Sequence, residues 1–262
     1  TGVSFGNSHF RADALILATG GMSHPETGST GDGFNWLRNI GHTVHDPTPS
    51  IVPLSVAEKN IKNLAGVSIP QATITFFLKG KKQFSKKGPL LFTHFGISGP
   101  VVLNSAAQVG DLLHAGAVTA TIDSRPELDR QVLDAEIVAL FDANKNKVLK
   151  NIFGELTSPK LLEVIKEVSG DTKVHSVTRD QRRSIAEALK CLPVTITGLM
   201  GFEKAVVVDG GVDLHEIQNK TMRSTIYPNL YIIGDLLHIR RPTGGYSLQL
   251  CWTTGFVAGS NV

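Results

Sequence analysis

Cysteine is scarce in this chain, with only Cys191 and Cys251 among 262 residues. The two lie too far apart for a CxxC motif and are too few for a disulfide framework, so the expected setting is reduced and cytoplasmic. Long apolar runs are missing as well. Nothing approaches the roughly 20 residues needed to span a bilayer, and residues 1–11 are polar with no hydrophobic signal core, so no membrane partner is expected. Excess charge of one sign is also absent. Twenty-six Lys and Arg face 23 Asp and Glu, a formal charge of +3, which is too small to imply nucleic-acid binding, and no nucleic-acid partner is expected. Disorder is excluded by the balance of 41% hydrophobic and 19% charged residues. Glycine is what the chain has in excess: 26 residues, above the usual share of roughly 7%, many of them clustered toward the two ends. Clustered glycine points to backbone approaching a ligand.

The pattern along the chain divides it. Residues 2–5 and 9–12 form the arms of a predicted hairpin that turns at Gly6, Asn7 and Ser8. Residues 14–18 are a continuous apolar run ahead of Thr19-Gly20-Gly21, the signature of a buried parallel strand ending in a tight loop. Phe34, Trp36, Leu37 and Ile40 are spaced for a short helix closed by Gly41, with Asp32 as its N-cap. From 51 to 122 the pattern is mostly β, with strands predicted at 67–78 and 117–122 and a helix at 98–109 that has Pro100 in its first turn. Helical spacing follows from 126 and continues through 159–168 and 180–189. Strands return at 194–197, 205–208 and 231–233. The expected fold class is therefore α/β: an incomplete Rossmann-like domain interrupted by a β-barrel-like domain carrying a helical insert. The expected boundaries are 1–48 with 206–262 for the first, 49–124 with 191–205 for the second, and 125–190 for the insert.

Three segments carry chemistry. Leu17-Ala18-Thr19-Gly20-Gly21 places two residues without Cβ at the carboxyl end of a strand, where open α/β sheets bind ligands. Taken alone, it reads first as an ordinary tight turn. Leu230-Tyr231-Ile232-Ile233-Gly234-Asp235 delivers a carboxylate suited to sugar hydroxyls, or to capping a helix. Thr243-Gly244-Gly245-Tyr246-Ser247-Leu248-Gln249 sets a glycine pair before a predicted helix, whose free N–H groups and dipole favour negative charge.

The order of the three resembles the later FAD-binding motifs of the two-dinucleotide-binding-domain flavoproteins. With Thr27-Gly28-Ser29-Thr30-Gly31-Asp32-Gly33 and Leu91-Phe92-Thr93-His94-Phe95-Gly96-Ile97-Ser98-Gly99-Pro100 added, the chain resembles bacterial FAD-dependent oxidoreductases of the aminoacetone-oxidase-like or 3-dehydro-bile-acid-reductase-like kind. That resemblance implies FAD as cofactor. It sets Ala18, Thr19, Gly20 and Gly21 toward the adenosine and pyrophosphate, Gly234 and Asp235 at the ribityl chain, and Gly244, Gly245, Tyr246, Ser247 and Leu248 along the isoalloxazine. The implied activity is oxidation or reduction of a small organic substrate, an amine or a conjugated ketone, with NAD(P)H docking transiently if it reduces the flavin. The alternative is a non-catalytic flavin-fold binding or interaction module that has lost its cofactor. Many relatives carry Glu where this chain has Asp235, and Arg240-Arg241 stands where an acidic residue and Gly are expected. Either arginine would favour an anionic reduced flavin, unless both are solvated. The GxGxxG fingerprint is nowhere in the sequence. The chain also opens at Thr1 without Met and closes at Val262 within an apparent helix, so a fragment is expected, whose partner is the missing N-terminal segment of the same protein.

Other candidates weigh less. His94 is either a substrate-contacting or a structural histidine, and Tyr246 either donates a proton or rests against the flavin edge. His42 and His45 lack a third ligand nearby, so no metal site is expected. Ser98 fails the GxSxG elbow because Pro100 takes the last position, which argues against a hydrolase. Lys79, Lys81, Lys82, Lys86 and Lys87 surround a hairpin with few aromatics and are read as a solvated turn. Cys251, beside Trp252, is a redox candidate or a buried small apolar residue.

Overall fold

The computed structural model describes residues 2–262, and its chain divides into two units: residues 2–52 with 200–262, and residues 53–199. Thr1, on which the expectation of a fragment partly rests, lies outside the described residues. In chain order the first unit opens with the antiparallel hairpin β1 (Gly2–Phe5) and β2 (Ser8–Arg11), then β3 (Leu15–Leu17), α1 (Asp32–Asn39) and β4 (Val44–Ser50). The second unit contains β5 (Leu54–Val56), α2 (Lys59–Asn63), β6 (Ser68–Leu78), β7 (Lys81–Thr93) and β8 (Gly96–Ser98). It continues with α3 (Pro100–Leu103), α4 (Ala106–Ala115), β9 (Val118–Asp123), α5 (Arg130–Ala143), α6 (Leu149–Ile152), α7 (Arg179–Lys190) and β10 (Leu192–Leu199). The first unit resumes with β11 (Val207–Val212), β12 (Ile217–Gln218), β13 (Arg223–Ser224), β14 (Leu230–Ile232) and α8 (Tyr246–Gly259).

The second unit is a closed six-strand barrel in the order β10-β5-β8-β7-β6-β9, as the β-barrel-like expectation required. Two-residue alternation builds it. Ile74 and Phe76 of β6, Val118, Ala120 and Ile122 of β9, and Leu192, Val194 and Ile196 of β10 are buried, while the residues between them face outward. Each such Leu, Ile or Phe contributes roughly 1.5–3 kcal/mol by leaving water. The helical insert joins the same core through Leu133, Ile137 and Phe141 of α5, spaced by four, and Ile185 and Leu189 of α7. Both helices start on a side-chain cap: Asp129 accepts from the Val132 N–H at 2.8 Å, and Thr178 forms a capping box with Gln181.

The first unit holds a four-strand sheet in the order β12-β13-β14-β3 and a separate β11–β4 pair. β3 runs parallel to β14, with Leu15, Ile16 and Leu17 opposite Leu230, Tyr231 and Ile232. A parallel pair whose strands lie more than 200 residues apart in sequence is the split sheet that the two apolar runs predicted.

Several details depart from the sequence reading. The 14–18 run is not fully buried. β3 is an edge strand among the described residues, and Ile16 is 38% exposed, because a sequence run cannot tell an edge from a centre. Gly31, at φ 82°, rather than Asp32 is the N-cap of α1, and Asp32 opens the helix with its carboxylate accepting from the Thr30 hydroxyl. The helix expected at 98–109 is two helices. Buried Ser105 donates its hydroxyl to the Val101 carbonyl at 2.7 Å and interrupts the run. The 159–168 segment is 3₁₀ over Pro159–Val164, and α8 ends at Gly259, before Val262.

Candidate functional site

The parallel pairing of β3 with β14 brings two of the three glycine-bearing segments side by side. The Ile233 N–H donates to the Leu17 carbonyl at 3.2 Å, so Ala18-Thr19-Gly20-Gly21 and Gly234-Asp235 leave the sheet from adjacent carboxyl ends. A Cβ added at Gly21 would lie 3.7 Å from the Asp235 Cβ. Thr19 rests on the first turn of α1, where a Cβ at Gly33 would come within 2.1 Å of its Oγ1. The third segment arrives through α8. Buried Thr254 accepts the Gly234 N–H at 3.0 Å and donates to the Leu250 carbonyl at 2.7 Å, which fastens the helix to the loop after β14. Sequence reasoning missed Thr254, since a mid-helix threonine carries no signal of its partner.

Arg241 is the other residue that sequence reasoning left open. Its side chain is 4% exposed, so it is not solvated. Its guanidinium donates to the Asp235 carboxylate, to the Ser247 hydroxyl at 2.9 Å and to the Ile239 carbonyl. Arg240 is exposed and sits 3.7 Å from Asp209. Burial pushes the Asp235 carboxyl above the ordinary carboxylate value, and the Arg241 charge acts against that rise. Burial, followed by the Asp235 charge, pushes the Cys251 thiol up. That environment disfavours thiolate and leaves Cys251 as a small packing residue against Gly234.

The surface these segments make is open and dipolar. Gly20 (φ 75°) and Gly245 (φ 87°) hold left-handed backbone, and a Cβ at either would meet nothing within 4 Å. Gly245 is the N-cap of α8, with no side chain closing the first N–H groups of that 14-residue helix. Exposed Tyr246, Leu248, Trp252 and Phe256 follow. Flat apolar rings and an acidic phosphate chain suit such a surface, with ring faces against apolar side chains and anionic oxygens at free backbone donors. The residues present therefore fit a dinucleotide such as FAD. Of the three tyrosines, Tyr227 donates to the Ile40 carbonyl and Tyr231 to the Asn261 carbonyl, whereas the Tyr246 hydroxyl has no partner among the described residues.

The remaining candidates belong to other segments of the chain. His94 is exposed on the turn from β7 to β8, in the barrel unit, edge-on to Phe95 at 4.8 Å. The glycines near it are structural. A Cβ at Gly96 would lie 2.3 Å from the Leu54 carbonyl oxygen, and one at Gly99 2.8 Å from that of Pro89. His42 is buried and places Nδ1 2.7 Å from Glu216 and Nε2 3.0 Å from Ser224. That order imitates a nucleophile triad, but Ser224 is 1% exposed and its oxygen already accepts the Ile226 and Tyr227 N–H groups. The arrangement is a clamp, and no reacting carbonyl reaches it. His45 bonds Asp213 at 3.1 Å, and no group of metal-ligating side chains occurs among the described residues. No helix among the described residues is long and apolar enough to cross a membrane.

Comparison with known proteins adds the family. The family described as HI0933-like protein barrel and H2TH domain matches residues 48–207. The chain is 30% identical over 255 residues to the 3-dehydro-bile acid delta(4,6)-reductase of Clostridium scindens, covering 95% of this chain and 62% of that protein. It is 31% identical over 260 residues to the ribosomal RNA dihydrouridine synthase of Haemophilus influenzae, covering 98% and 62%. It is 26% identical over 255 residues to the protein of the same description from Escherichia coli, covering 95% and 60%. The chain thus spans about three fifths of the length of the curated relatives it matches.

Proposed function

The chain belongs to the HI0933-like family, and on that premise we propose that it is part of an FAD-dependent oxidoreductase whose substrate carries a carbon–carbon double bond conjugated to a carbonyl. The observation that carries this reading is the meeting, within one unit, of two glycine-bearing strand ends with the uncapped N-terminus of α8. The relatives' names support the substrate class, since a delta(4,6)-reductase of a 3-dehydro bile acid and a dihydrouridine synthase both saturate such a bond. FAD, when bound, supplies hydride transfer.

The chain's own residues bind and orient. Ala18, Thr19, Gly20 and Gly21 offer backbone to the adenosine and pyrophosphate, Gly234 and Asp235 meet the ribityl chain, and Gly244, Gly245, Tyr246, Ser247 and Leu248 line the ring system. Arg241 donates to the Asp235 carboxylate and to the Ser247 hydroxyl and so orients both. The unpartnered Tyr246 hydroxyl is the proton donor this site offers to the carbon next to the substrate carbonyl. The exposed side chains of Ile16, Leu248, Trp252 and Phe256 and the shorter span relative to the relatives support a further segment of the same protein, bearing the GxGxxG unit, as the cover of this face. Electrons for a bound flavin would come from NAD(P)H docking transiently, and the setting we propose is the cytoplasm.

The intact protein, purified with all of its natural sequence, is expected to show flavin absorbance near 450 nm or to gain it on adding FAD. A protein that stays colourless would sink the proposal and favour a cofactor-free interaction module, a reading supported by Arg241 occupying the Asp235 carboxylate. Tyr246→Phe is expected to keep flavin content and lower turnover by 10²-fold or more. Unchanged turnover removes the proton-donor role.

A further inference from the structure

The barrel unit carries a charge asymmetry that the redox reading does not use. Positions 59–110 hold seven lysines and no aspartate or glutamate. Five of the seven fall on one ribbon, with Lys79 at the turn and Lys81, Lys82, Lys86 and Lys87 along β7. Register sorts them. Lys86 stands opposite buried Ile74, donates to the Asn104 carbonyl at 2.6 Å and lies over the Phe84 ring. Lys82 and Lys87 stand opposite Phe77 and Thr73 on the outer face, which also carries the Thr75–Ser85 hydroxyl pair. Lys79, Lys81, Lys82 and Lys87 are exposed, and none has a carboxylate within ion-pair distance among the described residues. In the helical insert, where acidic residues are interspersed, most cations, among them Arg125, Arg130, Lys150, Arg182 and Lys190, pair with a carboxylate. Unneutralised charge along a two-stranded ribbon, within a stretch that holds no carboxylate side chain, is what distinguishes this face.

We propose that the β6–β7 ribbon docks the phosphate backbone of double-helical RNA. From Lys81 to Lys87 the ribbon runs about 20 Å at roughly 3.3 Å per residue, long enough to meet several successive phosphates. The Thr75–Ser85 hydroxyl pair, one proton of which bridges the two oxygens, adds one neutral donor between the ammonium groups. The lack of exposed aromatics, which made the lysines look like a solvated turn, excludes a stacking platform for single strands. It does not weigh against a duplex, whose backbone is bound through charge and whose A-form is read by shape and 2′-hydroxyls. Ribosomal RNA in the names of two relatives makes RNA the polyanion to test. The inference concerns the barrel alone and stands apart from the flavin reading.

The test is fluorescence anisotropy of a labelled 16-base-pair RNA duplex with the intact protein between 50 and 200 mM salt. With four phosphate contacts and a duplex slope of roughly −0.9 per contact, affinity is expected to fall about 150-fold over that range. The K81Q/K82Q/K87Q protein is expected to melt like the parent and to lose about 2.7 from the slope, while the triple Lys→Arg protein keeps it. Absent binding at 50 mM, an unchanged slope in the glutamine protein, equal affinity for a DNA duplex, or tighter binding to anionic phosphatidylserine vesicles would each overturn the proposal. Flavin absorbance measured on the same sample separates a failure here from a failure of the redox reading.

Discussion

Replacing Gly96 with alanine separates packing from chemistry in the string Leu91 to Pro100. The added Cβ would lie 2.3 Å from the Leu54 carbonyl oxygen and 2.8 Å from the Val56 nitrogen. Both are backbone atoms of β5, so no side chain can turn aside. An ordinary contact needs about 3.4 Å or more, so β5 and β8 must part by about 1 Å. The pairs Leu54–Ile97 and Ser55–Gly96 and the Val56 N–H to Phe95 carbonyl bond, at 3.2 Å, all lie at that point. Losing two such bonds in a buried setting costs roughly 2–4 kcal/mol. Alanine restricts the unfolded chain and returns about 0.4–1 kcal/mol, leaving a net loss of about 1–3.5 kcal/mol. For a protein of this size that lowers the melting midpoint by roughly 2–14 °C. Urea unfolding followed by far-ultraviolet circular dichroism measures it. His94→Ala is the control, expected to change stability by less than about 0.5 kcal/mol because the ring is exposed. If Gly96→Ala unfolds within about 0.5 kcal/mol of the parent, the argument from backbone approach fails. If His94→Ala abolishes turnover with stability intact, the histidine belongs to the chemistry.

Two further predictions concern charge in the first unit. Arg241→Ala strands Asp235, whose side chain is 24% exposed, and is expected to cost about 2 kcal/mol, below the range for a fully buried pair. Arg241→Lys recovers only part, since an ammonium cannot reproduce the fork to Asp235 and Ser247, and a lysine protein melting with the parent would refute the two-sided hold. For Glu216, burial works to raise the carboxyl, but the hydrogen bonds from Thr43 and His42 outweigh it and hold the group below the ordinary 4.5. Because the folded value is depressed, the stabilisation is fully present above about 4.5 and is lost as pH falls through the lower folded value. Urea midpoints at pH 7 and pH 4 are expected to differ by less in Glu216→Gln than in the parent, with the variant less stable at pH 7 by about 2 kcal/mol. Equal acid sensitivity in the two proteins would remove Glu216 from the account.

Much of this architecture was legible because its signals are local. The alternation in β6 and β9, the four-residue spacing of Leu133, Ile137 and Phe141, and the apolar runs ending in Thr19-Gly20-Gly21 and Gly234-Asp235 are carried by neighbours in sequence. What was hidden depends on distant chain. Arg241 looked free to be solvated because a charge does not announce its burial, and the loop from Ile239 to Ser247 had to fold back on Asp235 to show it. Ile16 looked buried because an apolar run does not say whether a second strand arrives on its other side.

The glycines sharpen this into a rule that bears on function. Gly96 and Gly245 both sit in strings long enough to mark the family, and sequence treats them alike. At Gly96 the space a Cβ would need is taken by the backbone of a strand 42 positions earlier, so the residue is demanded by barrel closure. At Gly245 the backbone is left-handed, opens a helix whose first N–H groups have no side-chain cap, and has nothing within 4 Å. No contact within the described protein requires that emptiness. A glycine of the first kind is retained by stability, and its loss appears in an unfolding curve. The loss of Gly245 would cost only the strain of a side chain at φ 87° and, on the reading we propose, would appear chiefly in what the surface binds, where a group outside the chain would use the space it leaves. By that criterion the LFTHFGISGP string belongs to the barrel's closure, and the GGYSL string is the one we propose for ligand recognition in the first unit.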